Sequence, residues 1–160
     1  MSNQKLNSMR LLDSRKVVYS VHTYVYDPDN PPDAVDVARQ LDLGPEYVFK
    51  TLVLNGGDKH PILIMVPADR QLDLKRLAAA IERKRVELLA RAETERLTGL
   101  KVGGIGALAL VQKRWACYLE QRGAILEQIY VNAGQRGTML GLAPADLIDL
   151  TGAQLVEAAF

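Results

Sequence analysis

The sequence predicts an α+β fold in a single domain, with a largely antiparallel or mixed sheet flanked by helices. Three observations carry that prediction. Helix-type and strand-type segments follow one another irregularly, without the strand–helix–strand repeat of a parallel, doubly wound sheet. Two apolar β-type runs, residues 48–54 and 61–66, flank Asn55-Gly56-Gly57-Asp58, which makes the clearest hairpin in the chain. At 160 residues the chain fits one core spanning residues 1–160, and 48% hydrophobic residues can fill that core without staples.

The elements follow in order. Residues 3–15 read as a short amphipathic helix, with Leu6, Met9 and Leu12 at helical spacing. Residues 17–24 alternate and are rich in β-branched and aromatic side chains, so they form a strand. Asp27-Pro28-Asp29-Asn30-Pro31-Pro32 is a loop of strong breakers. Asp33 caps a helix to about Leu41, with Val35, Ala38 and Leu41 inward. After the hairpin, Asp73 opens a helix to about Arg83, with Leu74, Leu77, Ala78 and Ile81 on one face. Residues 86–89 make a short strand, and residues 92–97 a short helix stopped by Gly99. A glycine-dense stretch follows at Gly99, Gly103, Gly104 and Gly106. Residues 115–119 and 128–132 are strands, then comes a turn at 132–137 and a short strand to Leu142. Pro144 starts a helix, where its missing N–H costs nothing, and a final helix follows Thr151-Gly152.

Composition excludes several classes of function. Twenty Lys and Arg stand against 19 Asp and Glu, a net charge of +1. A protein that wraps nucleic acid electrostatically shows a clear basic excess, so any nucleic-acid contact here is local or assisted by a partner. The single Cys117 allows no internal disulfide and suits a reducing compartment. The first ten residues lack the apolar run of a signal peptide, and no run of 18 apolar residues exists. The cytoplasm is therefore the expected location, with no membrane contact. His22, His60 and Cys117 lack metal-ligand spacing, so no metal is expected. Gly56-Gly57-Asp58-Lys59 is not a phosphate-binding P-loop, and Gly103-Gly104-Ile105-Gly106 does not open a helix as a dinucleotide fingerprint must; no cofactor is expected. Ser2, Ser8, Ser14 and Ser20 lie near the amino end, none in a nucleophile elbow. Cys117 reads as a buried structural thiol.

Three features keep two readings each. Lys50 interrupts an apolar strand: it either faces solvent at period two, or aims a cation into a pocket, where a low dielectric strengthens its hold on an oxygen. Gly103-Gly104-Ile105 is either a strand bend or bare backbone at a pocket wall. The turn Asn132-Ala133-Gly134-Gln135-Arg136-Gly137 is either a plain hairpin turn or an anion site built from turn amides and Arg136.

In order along the chain, four motifs form one pattern. They are Val48-Phe49-Lys50-Thr51-Leu52; Gln71-Leu72-Asp73-Leu74-Lys75; Thr98-Gly99 with Val102-Gly103-Gly104-Ile105; and Ile129-Tyr130-Val131-Asn132-Ala133-Gly134-Gln135-Arg136-Gly137. With His22-Thr23-Tyr24 ahead of the acidic, proline-containing loop, this pattern resembles the YbaK-type family. Those proteins are relatives of the editing domain inserted in bacterial prolyl-tRNA synthetases, and the resemblance runs from about Leu6 to the end. It implies a curved, barrel-like mixed sheet and a trans-acting aminoacyl-tRNA deacylase, best known on Cys-tRNA(Pro), with other members acting on alanine or other small residues. The partners implied are the aminoacyl-tRNA acceptor end and prolyl-tRNA synthetase.

By position, the resemblance implies that Lys50 is the lysine needed for activity and that Gly103 brings backbone to the substrate amino group or thiol. Tyr24, Gly104, Ile105, Asn132, Gly134 and Arg136 would bind substrate around them. A cysteinyl substrate would use its own thiol to attack its ester; other aminoacyl esters would need a positioned water. Two features depart from the pattern: Met139 where some members carry aspartate, and Gly106-Ala107-Leu108-Ala109-Leu110-Val111 in place of a Ser-Pro. A non-catalytic module that binds a tRNA end or small ligand, and a hydrolase of small esters, are the alternatives.

Overall fold

The computed structural model describes residues 5–160. Its helices are α1 (Asn7–Ser14), α2 (Ala34–Gln40), α3 (Leu74–Ala80), α4 (Arg91–Thr98) and α5 (Pro144–Thr151). Its strands are β1 (Tyr19–Thr23), β2 (Val48–Asn55), β3 (Ile62–Pro67), β4 (Glu87–Leu88), β5 (Cys117–Glu120), β6 (Ile129–Asn132), β7 (Thr138–Leu142) and β8 (Gln154–Val156). All eight strands join one sheet in the order β1-β7-β6-β2-β3-β5-β8, with β4 paired to β2 outside that path. The β2–β6, β3–β5 and β5–β8 pairs are parallel and the others antiparallel, so the sheet is mixed.

The alternation of side chains along a strand assigns the two faces. Phe49 and Val53 of β2, Leu63 and Met65 of β3, Leu119 of β5, Val131 of β6 and Leu140 of β7 share one buried cluster. Five strands converge on this cluster because the sheet curls round it, and Leu12 of α1 and Leu147 of α5 close it. On the outer face Leu54, Ile62, Ile64 and Val66 pack against Leu77 and Ala78 of α3. Val48 and Met139 pack against Val37 and Ala38 of α2. Local chemistry sets the ends of these helices. Asp33 and Asp36 form a reciprocal capping box at α2, Asp73 accepts the Arg76 amide at α3, and Gly99 at φ 73° ends α4.

Most of the predicted elements stand, with three differences. The first predicted helix begins at Asn7, and residues 3 and 4 of that prediction lie outside the described residues. The third helix stops at Ala80 rather than Arg83. The final helix expected after Gly152 is instead β8, in register with β5 through Tyr118↔Gln154, Leu119↔Leu155 and Glu120↔Val156. Residues 153–160 have ordinary helical propensity but are too few to sustain an isolated helix. The exposed edge of β5 offers them a full ladder, and buried Glu120 accepts the Ala158 amide at 3.1 Å beyond it. Tertiary pairing overrides local propensity. The glycine-rich stretch leads into a 3₁₀ turn at Ala107–Lys113, which buries Ala107, Leu108 and Leu110.

Cys117 shows how closed the interior is. It is 6% exposed, and burial pushes its thiol from 9.0 up to about 11. The unfolded chain therefore loses this proton first. The resulting contribution to stability is whole below pH 9 and is lost as pH rises through about 11. Denaturant titrations at rising pH should show this loss in the parent, and a smaller one in Cys117→Ala.

A candidate active site at a gap in the sheet

The site begins with a break in pairing. Along one side β2 is paired throughout with β3. Along its other side it meets β6 only at Val48 and Phe49, and β4 only at Leu54 and Asn55. Residues 50–53 lie between without a strand partner on that side. There the Val53 carbonyl accepts the Leu89 amide at 3.2 Å. The Ala68 amide bonds the Val48 carbonyl at 2.8 Å, so by alternation Lys50 and Leu52 turn their backbone groups toward β3 and Thr51 turns its own toward the gap.

A cleft of about 480 Å³ occupies this gap. Tyr24, Lys50, Thr51, Gly103, Ile105 and Asn132 line one region of it, and Leu88, Leu89, Arg91 and Thr94 another. Its size falls in the range of about 300–1,000 Å³ common to small-molecule sites. Among the described residues no serine, histidine or cysteine lines it, so they assemble no triad there. Lys50 is half-buried, and no carboxylate among the described residues lies within ion-pair distance of it. Asp33 lines the same cleft but is committed to the α2 capping box. A cation in such a cleft is available to a ligand oxygen. Beside it, the Thr51 hydroxyl is buried with no hydrogen-bond partner.

Asn132 builds the opposite wall. Its Nδ2 donates to the Gly103 carbonyl at 3.1 Å and to the Tyr24 hydroxyl at 3.2 Å. Its Oδ1 accepts the Gly134 amide at 2.7 Å and the Gln135 amide at 3.0 Å. The Tyr24 hydroxyl donates to the same Gly103 carbonyl at 3.2 Å. Burial raises the Tyr24 phenol above its ordinary 10.0, so it keeps this proton at neutral pH. One carbonyl is thus held by two donors, Tyr24 just after β1 and Asn132 at the end of β6. Gly103 itself sits at φ 95°, and a Cβ there would lie 2.6 Å from the Tyr26 ring. Only glycine fits.

Five of the eight sequence-selected residues therefore meet in the cleft: Lys50, Gly103, Tyr24, Ile105 and Asn132. The other three support the wall from behind. A Cβ on Gly104 would lie 2.7 Å from the Arg136 amide nitrogen, so the glycine loop and the 132–137 turn touch backbone to backbone. Gly134, at φ 100°, packs against Ala109. The Arg136 Nε donates to the Val102 carbonyl at 2.9 Å, and its guanidinium lies 4.5 Å from the Tyr26 ring centroid. Thr51, Leu89, Arg91 and Thr94 were not singled out from the sequence. Thr51 was legible in principle, as the one polar residue beside Lys50 in an apolar strand. The others reach the cleft only through the short β4 pairing.

Fold and site define an α+β protein with a cleft at a gap in its sheet, lined by a half-buried lysine and by closely held backbone groups. The family model for the aminoacyl-tRNA editing domain matches residues 30–150. The chain is also 34% identical over 156 residues to an Enterococcus faecalis protein named "Putative Cys-tRNA(Pro)/Cys-tRNA(Cys) deacylase EbsC", covering 98% of this chain and 94% of that one. The chain belongs to the aminoacyl-tRNA editing domain family. It is 26% identical over 98 residues, 61% of its length, to the proline–tRNA ligase of Aquifex aeolicus, of which the match spans 16%. A solved structure described as a "putative trans-editing enzyme for prolyl tRNA synthetase" has the same fold, with a TM-score of 0.79 at 20% identity, over 98% of this chain and 99% of that one.

Two substitutions probe the wall and the gap separately. Asn132→Ala removes four hydrogen bonds and leaves the Gly134 and Gln135 amides unpaired; urea titration should show a loss of about 1–3 kcal/mol. Thr51→Val removes an unpartnered hydroxyl, so the same titration should show stability unchanged or raised by about 1 kcal/mol.

Proposed function

We propose that this chain acts in trans on mischarged tRNA, with Cys-tRNA(Pro) its foremost substrate, and that Lys50 and the Gly103–Asn132 wall carry the reaction. The observation that carries the reading is a half-buried lysine, without an ion-pair partner among the described residues, lining one small cleft beside the unpaired stretch of β2, in a chain similar along its length to a protein named as a Cys-tRNA deacylase.

The chemistry follows from the substrate. An aminoacyl ester is already activated, so positioning and charge stabilisation suffice without a triad. The Lys50 ammonium would hold the ester oxygen or the terminal ribose and phosphate, where charge develops as the carbonyl is attacked. With a cysteinyl ester the substrate sulfur bonds to the carbonyl carbon and the ester C–O bond breaks. The thiol proton passes through solvent to the departing ribose oxygen, and a cyclic thioester leaves. With alanyl or seryl esters, a water held in the cleft would attack instead. Met139 lines the cleft where some relatives carry aspartate, which favours a small uncharged side chain in that corner.

The near-neutral charge of the chain suits delivery of the tRNA by a partner such as prolyl-tRNA synthetase, since +1 supports little phosphate attraction. No helix among the described residues is long and apolar enough to cross a membrane. A cytoplasmic setting, where charged tRNA is used, accords with this reading.

Purified protein should release the amino acid from at least one of Cys-, Ala- and Ser-charged tRNA(Pro). Lys50→Ala should slow that release by about 10²–10³-fold, as removal of one charge-stabilising donor does, with the circular dichroism spectrum unchanged. A panel left intact by the parent protein would overturn the reading in favour of a binding module. Activity on free aminoacyl esters but not on charged tRNA would favour a small-ester hydrolase.

A further inference from the structure

The free edge of β1 differs from the rest of the sheet. It ends the sheet order, with β7 on one side and no strand on the other among the described residues. The Tyr24 amide bonds the Gly137 carbonyl at 3.0 Å, so by alternation His22 and Ser20 also turn their backbone groups toward β7. Tyr19, Val21 and Thr23 turn theirs outward, away from β7. The next outward residue, Val25, is already covered. Its amide donates to Gln40 Oε1 at 2.8 Å, and its carbonyl accepts Gln40 Nε2 at 3.1 Å. The side chain of α2 thus closes the edge at one end and leaves a run of three residues open.

Proteins protect such edges with charge, proline or bulges. β1 carries none of these, and its Val21 is 49% exposed, with Val18 just before the strand and Val25 just after it exposed as well. The flanks are asymmetric in charge. Arg15 and Lys16 precede the strand and Asp27 and Asp29 follow it, all exposed. Paired antiparallel with an identical segment, the basic end of each copy falls beside the acidic end of the other. A parallel arrangement would set like charges together.

We propose that β1 is a self-association edge, across which two copies of this chain pair antiparallel about a two-fold axis at Val21. Val21 meets Val21 of the second copy, and Tyr19 meets Thr23. The outward amides and carbonyls of these three residues complete a continuous ladder, and the two exposed Val21 side chains cover one another across it. Arg15 and Lys16 of each copy flank Asp27 and Asp29 of the other. Gln40 limits the pairing to this run, which favours a closed dimer over longer edge-to-edge growth. The inference rests on the edge alone and stands whatever ester the cleft takes.

Sedimentation of the full chain across a wide concentration range tests it. The expected result is a species of twice 17.7 kDa that dissociates on dilution. Val21→Pro removes an outward N–H without touching the β7 ladder and should give a monomer that keeps its circular dichroism spectrum. Charge reversal gives a second, independent arm. Arg15→Glu with Lys16→Glu should be monomeric, as should Asp27→Lys with Asp29→Lys, whereas an equimolar mixture of the two variants should restore the dimer. A monomer at every concentration would overturn the proposal. So would a dimer that survives Val21→Pro and both charge reversals.

Discussion

The Asn132 amide is the interaction on which the rest of the site depends. It lies at the end of β6, and its two polar atoms reach three separate parts of the chain. Nδ2 ties the glycine loop to Tyr24 beyond β1, while Oδ1 gathers the first amides of the following turn. At 9% exposure its bonds are sheltered from water, so each counts for more than it would at the surface. Glycine is required around it for a matching reason. A Cβ on Gly106 would lie 2.3 Å from the Asn132 carbonyl oxygen, so loop and strand approach closer than any side chain allows.

That wall faces a deliberate incompleteness. A sheet is most stable when each central strand is paired on both sides, yet β2 lacks a strand partner on one side between Phe49 and Leu54. The missing bonds leave the Thr51 backbone and hydroxyl without sheet partners, and Lys50 lies half-buried without a counter-charge. Both features cost stability in the free protein. On the proposed reading, the Lys50 ammonium and the free backbone of this stretch are groups that a bound ester would satisfy. The apolar clusters on both faces of the sheet offset the cost.

How legible this was in the sequence differs from feature to feature. The β2–β3 hairpin was readable because Asn55-Gly56 and its flanking apolar runs are local signals. The caps at Asp33 and Asp73 were readable for the same reason. Lys50 stood out because a strand of that apolarity tolerates a charge only with a purpose, although period two alone also allowed a solvent position. The sequence pattern did not reveal the parallel pairing of β5 with β8, since a short apolar tail carries no mark of the strand it will join. Nor did it separate Gly103 and Asn132, which face the cleft, from Gly104, Gly134 and Arg136, which hold the wall from behind. That division depends on distances between segments about 30 residues apart.

On the proposed reading, the aminoacyl end of the ligand sits in the gap beside β2. An aminoacyl-adenosine analogue with an amide in place of the ester, titrated into isotope-labelled protein and followed by backbone amide resonances, measures this most directly. Shifts concentrated at Lys50, Thr51, Gly103, Ile105 and the Asn132 turn, saturating together, are the predicted result. Saturable shifts that leave those residues unmoved and fall elsewhere on the surface would contradict it.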